Sequence, residues 1–107
     1  MPTFMCFLNW TDQGAKNAKD ANKRYQASRS MAEKLGGKLL SAYVTTGQYD
    51  VALTLEMPNG EAMAKFASAI SGSGNARTTT VRAYTPDEFS KIVASAENVG
   101  LLVATVV

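Results

Sequence analysis

The sequence predicts an α+β sandwich of element order β-α-β-β-α-β with a further helix appended. Three observations carry that prediction. Apolar residues pass from strand-like to helix-like spacing and back, twice, within the first 84 of 107 residues. Glycine, proline and asparagine clusters punctuate each change, and the two middle strands are separated by one tight turn.

Residues 3–9 (TFMCFLN) read as the first strand. Their apolar side chains run consecutively and do not alternate, so both faces call for cover. Trp10-Thr11-Asp12 offers a helix start, and Ala18, Ala21, Tyr25, Ser28, Ala32 and Leu35 follow at three- and four-residue spacing, with lysines and arginines opposite. That spacing predicts one helix closed by Gly36-Gly37, a left-handed cap. Residues 38–46 return to strand, with Leu40, Ala42 and Val44 on one face and Leu39, Tyr43 and Thr45 on the other. Gly47-Gln48-Tyr49-Asp50 turns the chain, and residues 51–56 run back as the second arm of a hairpin. After the break at Pro58-Asn59-Gly60, a second helix turns Met63, Phe66, Ala67 and Ile70 inward and ends at Gly72-Ser73-Gly74-Asn75. Residues 77–84 (RTTTVRAY) are rich in β-branched side chains and read as the fourth strand.

This order is the split βαβ arrangement of the ferredoxin-like fold, an antiparallel sheet with both helices on one face. The doubly apolar first strand asks for cover on the other face as well. A second copy of the chain, packed sheet to sheet, supplies it, so the expected state is a homo-oligomer, at least a dimer. Beyond the sandwich, Thr85-Pro86-Asp87-Glu88 is a capping box with proline at the first helical position. It opens a short helix that should turn Phe89, Ile92, Val93 and Ala96 inward. Asn98-Val99-Gly100 ends that helix, and the tail 101–107 (LLVATVV) is almost wholly apolar. Such a segment needs cover, either on its own core or on a neighbouring subunit.

Composition narrows the chemistry. Eleven Lys and Arg against nine Asp and Glu leave a net charge of +2, too balanced for a nucleic-acid face. Lys16, Lys19, Lys23, Arg24 and Arg29 are explained as the solvated side of one helix. The single cysteine, Cys6, lies among apolar residues as a small core side chain, and histidine is absent. The commonest general base and transition-metal ligand is therefore missing, and no metal, cofactor or catalytic residue is assigned. No apolar run approaches the ~20 residues that span a bilayer, and no signal peptide is recognisable, so no membrane partner and a cytoplasmic location are expected.

Four segments taken together resemble the GYD domain family of small bacterial proteins: Asn9-Trp10-Thr11-Asp12-Gln13-Gly14, Gly47-Gln48-Tyr49-Asp50, Asn75-Ala76-Arg77-Thr78 and Tyr84-Thr85-Pro86-Asp87-Glu88-Phe89. The resemblance covers roughly residues 2–92. It implies a ferredoxin-like domain of the dimeric α/β barrel kind at residues 1–93, with 94–107 as an extension packed on its own or a neighbouring subunit. No function for the family comes with it. The turn and the strand after it are also distantly similar to the effector-sensing domains of leucine-responsive regulators, which dimerise through their sheets and bind amino acids at subunit contacts. No helix-turn-helix precedes the first strand, so small-molecule sensing would carry over without DNA binding.

In a dimeric barrel a ligand would lie between the open sheet face and whatever covers it. The side chains in reach are Asn9, Tyr43, Thr45, Tyr49, Asp50, Arg77 and Tyr84. Asp50 beside Tyr49 could be an acid/base pair or could hold a ligand amine, whereas the ordinary explanation has Asp50 accepting N–H bonds of its own turn while Tyr49 packs over the hairpin. Arg77 and Arg82 are an odd number of positions apart, so they point to opposite faces; the one facing the interior would pair with Asp50 or Glu56. Trp10 reads as a staple against the first helix. Two functions fit: a non-catalytic small-molecule-binding or assembly module, or a cofactor-free enzyme of the monooxygenase or isomerase kind. An enzyme should enclose an apolar pocket containing an ionisable group of altered pKa.

Overall fold

The computed structural model of the chain describes residues 1–100; the apolar tail 101–107 lies outside the described residues. Strands β1 (Thr3–Trp10), β2 (Lys38–Val44), β3 (Val51–Glu56) and β4 (Ala76–Ala83) form one sheet in the order β2-β3-β1-β4, antiparallel throughout. Helices α2 (Ala21–Lys34) and α3 (Gly60–Gly72) supply most of the cover on one face, and α4 (Pro86–Asn98) follows β4. The fold is the ferredoxin-like α+β sandwich expected from the element order.

Register decides which side chains meet. Phe4 lies opposite Leu55 and Arg82, Cys6 opposite Leu53 and Thr80, and Leu8 opposite Val51 and Thr78. Directly opposed residues share a face. Phe4, Cys6, Leu8, Leu53 and Leu55 thus line the helix-covered side, where Met63, Phe66 and Ile70 of α3 and Ala32 of α2 close the core. Phe66, Leu55, Met57 and Cys6 are the largest fully buried side chains. Each of the three larger ones contributes about 1.5–3 kcal/mol by leaving water, so Phe66→Ala would cost about 3–5 kcal/mol with its cavity included. The opposite face carries Met5, Phe7, Tyr43, Ala52, Thr79 and Val81, and no helix covers it among the described residues.

Four sequence expectations are corrected. The first helical stretch is not one helix. Thr11 caps a short α1 (Asp12–Lys16), Asn17 ends it, and a 3-10 turn (Ala18–Asp20) leads into α2. Arg24 secures the break by donating from Nη1 to the Asn17 carbonyl at 2.9 Å and from Nη2 to the Gly14 carbonyl at 3.3 Å. Second, a bulge between Leu39 and Ser41 adds a residue to β2, placing Leu39 on the core face with Ala42 and leaving Leu40 exposed. Third, Arg82 points to the core face but forms no ion pair with Asp50 or Glu56. It donates to the carbonyls of Thr3 and Ala83 and lies 5.6 Å from the Phe4 ring centroid and 4.3 Å from that of Tyr84. Cation–π contact and carbonyl acceptors take the place of an ion pair. Fourth, Phe89, Ile92, Val93 and Ala96 do not turn into this chain's own core. No residue of α4 is buried, and Phe89 remains 56% exposed.

Glycine acts as foreseen at the end of α2. Gly36 takes φ 83°, its N–H bonds the Glu33 carbonyl, and the Gly37 N–H reaches back to Ala32 at 2.9 Å, a Schellman closure.

Candidate functional site

At one end of the sheet the chain is tied into two adjacent knots. In the first, Gly47 takes φ 131°, a conformation L side chains rarely adopt, and the hairpin turn leans onto β1. Thr45 closes the turn, its N–H donating to the Asp50 carbonyl at 2.8 Å and its hydroxyl to the Tyr49 carbonyl at 2.6 Å. The Asp50 N–H donates to the Leu8 carbonyl at 2.9 Å, while the Trp10 N–H donates to Asp50 Oδ2 at 2.8 Å. Asn9 Nδ2 reaches the Gln48 carbonyl at 2.7 Å, and the Tyr49 ring stacks on Phe7 with centroids 4.8 Å apart. Asp50 therefore binds the end of β1 and not the N–H groups of its own turn.

The second knot joins α1 to the α3–β4 loop. The Thr11 N–H donates to the Asn75 carbonyl at 3.0 Å, and its hydroxyl donates to the Gly74 carbonyl while accepting from the Gly14 N–H. Gln13 Nε2 donates to Asn75 Oδ1 at 2.9 Å. Gly14 is buried, and a Cβ there would collide with the Asn75 carbonyl. Three of the four segments that carried the family resemblance thus meet in space.

Between these knots and the helices lies a cavity of about 560 Å³. Leu8, Trp10, Val51 and Leu53 form its floor; Tyr25 and Met31 of α2 and Ile70 of α3 form its walls. It exists because the facing positions are small: Ala21, Ser28, Ala42, Ala69 and Ser73 leave the gap between the two helices unfilled. The expected ligand position was the open sheet face, whereas this cavity is on the helix-covered side. Periodicity placed Tyr25 on the inner face of the helix without showing the void, although the run of alanine and serine on both helices was the available sign.

The predicted ligand residues are dispersed. Asn9, Thr45, Tyr49 and Asp50 are engaged in the first knot, with Tyr49 over the open face. Tyr43 and Arg77 stand on the open face, opposite Ala52 and Asn9 respectively, and Tyr43 is 68% exposed. Among these residues Tyr43 alone also borders the cavity. Tyr84 sits beside Arg82 past the far end of β4, and the strand positions between Thr3 and Asn9 put the two ends about 20 Å apart.

Two groups are held away from their ordinary ionisation range. Burial pushes the Cys6 thiol up, partly offset by a hydrogen bond from Thr80 Oγ1 to Sγ at 3.6 Å. Glu88 is lowered, chiefly by the backbone N–H of Thr85 in the capping box. Neither borders the cavity. Among the described residues no three His, Cys, Asp or Glu side chains gather to hold a metal, and no helix is long and apolar enough to cross a membrane.

The same architecture recurs among known proteins. The GYD domain family profile matches residues 4–93. No curated protein matches the chain. Among solved structures, the crystal structure of FFRP-DM1 superposes with a TM-score of 0.57 at 19% identity, covering 78% of this chain and 100% of that one. The Mycobacterium tuberculosis leucine response regulatory protein LrpA gives 0.52 at 12%, covering 78% of this chain and 51% of that one. TTHA0845 from Thermus thermophilus gives 0.50 at 21%, covering 79% and 95%. At these identities the likeness is one of fold.

Proposed function

The chain belongs to the GYD domain family, and from that premise we propose that it is a non-catalytic, homo-oligomeric module that binds a small molecule or builds a larger assembly. One observation carries the reading. The sheet is covered by helices on one side, while the other side presents Met5, Phe7, Tyr43 and Val81, of which Tyr43 and Val81 are 68% and 44% exposed. A contiguous apolar sheet face is a subunit contact in waiting, and a second copy packed sheet to sheet covers it.

Helix α4 supports the same reading, since its Phe89 and Ile92, with Val99 just past its end, are exposed apolar side chains. In the proposed assembly α4 packs on the neighbouring subunit. Tyr43 and Arg77 then lie at the covered face, where they could contact a ligand, and Asn9, Tyr49 and Asp50 hold the turn that edges it. Tyr84 belongs to the opposite end, where α4 departs. The setting proposed is cytoplasmic, without nucleic acid or membrane as partner.

Native mass spectrometry of the protein purified from its own cell extract tests the proposal. The expected spectrum shows a dimer or a multiple of it, with retained small-molecule mass. A bare monomer overturns the reading. Turnover of a substrate without added cofactor would favour the cofactor-free enzyme instead.

A further inference from the structure

The geometry points to a second binding site inside each chain, separate from the open sheet face: the cavity beneath α2 and α3 is a receptor for an amphipathic monocarboxylate, an apolar body with one anionic end. This deepens the ligand part of the function proposed above and rests on it, but it does not depend on the subunit contact.

The volume and the lining define the body. About 560 Å³ falls within the usual range for small-molecule pockets, and the floor and walls are Leu8, Trp10, Leu53, Tyr25, Met31 and Ile70. The cavity opens to solvent along a rim that includes the exposed Asn22, Tyr43, Val44 and Ser73, so an apolar guest gains by drying the apolar floor and walls that it covers. The polar lining groups, Asn22, Arg24, Ser73 and Asn75 among them, leave one end for a polar head.

Charge defines the head. Among the described residues that line the cavity, Arg24 carries the one formal charge, and no carboxylate is present to neutralise it. Its guanidinium is held in place by the Asn17 and Gly14 carbonyls, at 2.9 and 3.3 Å. Those two bonds use two of its N–H donors and supply no negative charge; the remaining donors have no partner among the described residues. An immobilised arginine with unspent donors beside an apolar void suits a carboxylate, because the cost of ordering the side chain has already been met by the fold. A primary alcohol of the same length would keep the apolar contacts and lose the ionic bond. A cationic head would meet repulsion from Arg24.

Trp10, the sole tryptophan, lines the cavity and reports occupancy through its fluorescence. Titration of the full chain with decanoate, decanol and decyltrimethylammonium, matched in body and differing in head, is the test. Decanoate is expected to shift the emission saturably, decanol to bind roughly tenfold more weakly, and the cation to give no saturable change. Arg24→Gln should bring decanoate down to the decanol affinity and leave decanol unchanged. Because Arg24 also braces the α1 break, Ser28→Phe supplies an independent variant: it fills the void from α2, so all binding should vanish while the melting temperature holds or rises. Equal affinity for the three heads, undiminished binding by Ser28→Phe, or no response to decanoate would overturn the assignment. Sedimentation of the same samples separates the two proposals. A monomer that binds decanoate sinks the oligomer and keeps the cavity site; a dimer indifferent to decanoate does the reverse.

Discussion

Asp50 Oδ2 accepts the backbone N–H of Trp10 at 2.8 Å, binding the acid of the hairpin turn to the end of a central strand 40 residues earlier. The bond turns a local loop feature into a tertiary clamp. It is charge-assisted and partly buried, and the Asp50 N–H reinforces it by donating to Leu8 on the same strand. Asp50→Ala removes the acceptor and leaves the Trp10 N–H without its partner, so urea unfolding should show a loss of about 1–3 kcal/mol. Asp50→Asn keeps an oxygen in place and should lose less. If Asp50→Ala unfolds at the wild-type midpoint, the clamp has no energetic weight.

Gly14→Ala examines the second knot. The added methyl group meets the Asn75 carbonyl, so α1 must move away from the α3–β4 loop, at about 1–3 kcal/mol. The same shift weakens the Thr11–Gly74 and Gln13–Asn75 bonds. Amide exchange at Thr11, protected by its bond to the Asn75 carbonyl, should accelerate. Unchanged protection there would mean that the loop yields without cost.

Acid should open the start of α4. Glu88 has a folded pKa below the ordinary value, chiefly because its carboxylate accepts the Thr85 N–H. Its contribution is complete above the unfolded glutamate value and is lost as pH falls through the lowered folded value. Chemical shifts of the Thr85 and Glu88 amides should therefore titrate together below the ordinary glutamate range, and Glu88→Gln should weaken that shared titration. Independent behaviour of the two amides would contradict the box.

Alkali should act on the core through Cys6. Burial raises its folded pKa, so its contribution is complete below the unfolded thiol value and falls away as pH rises through the folded one. Reaction with an aromatic disulfide reagent at neutral pH should be slow in the folded protein and stoichiometric in denaturant. Rapid labelling of folded protein would contradict a buried, neutral thiol.

The sandwich was legible because each element declares itself by period and punctuation: Phe66 and Ile70 at helical spacing, Val51 and Leu53 at strand spacing, Gly36-Gly37 at a helix end. What escaped the sequence depends on contacts distant in the chain. Nothing local says that Asp50 will bond Trp10, or that Gly14 exists to admit the Asn75 carbonyl. Arg82 was expected to need an acid, yet carbonyls and the Tyr84 ring satisfied it, an outcome fixed by where β1 begins. The bulge that moved Leu39 to the core face left no mark in the alternation of residues 38–46. The cavity was hidden for a related reason. It is made by side chains that are too small, and a pattern of apolar positions records placement without recording volume.

Helix α4 and the open sheet face offer exposed apolar surface from the same chain, and a second copy is the cover proposed for both. Sedimentation velocity at micromolar concentration, comparing wild type with a Tyr43→Glu, Val81→Glu double variant, tests this most directly. The expected result is a dimer or larger for the wild type and a folded monomer for the variant, with unchanged circular dichroism. A wild type that sediments as a monomer, or a variant that assembles as well as its parent, would contradict the central claim.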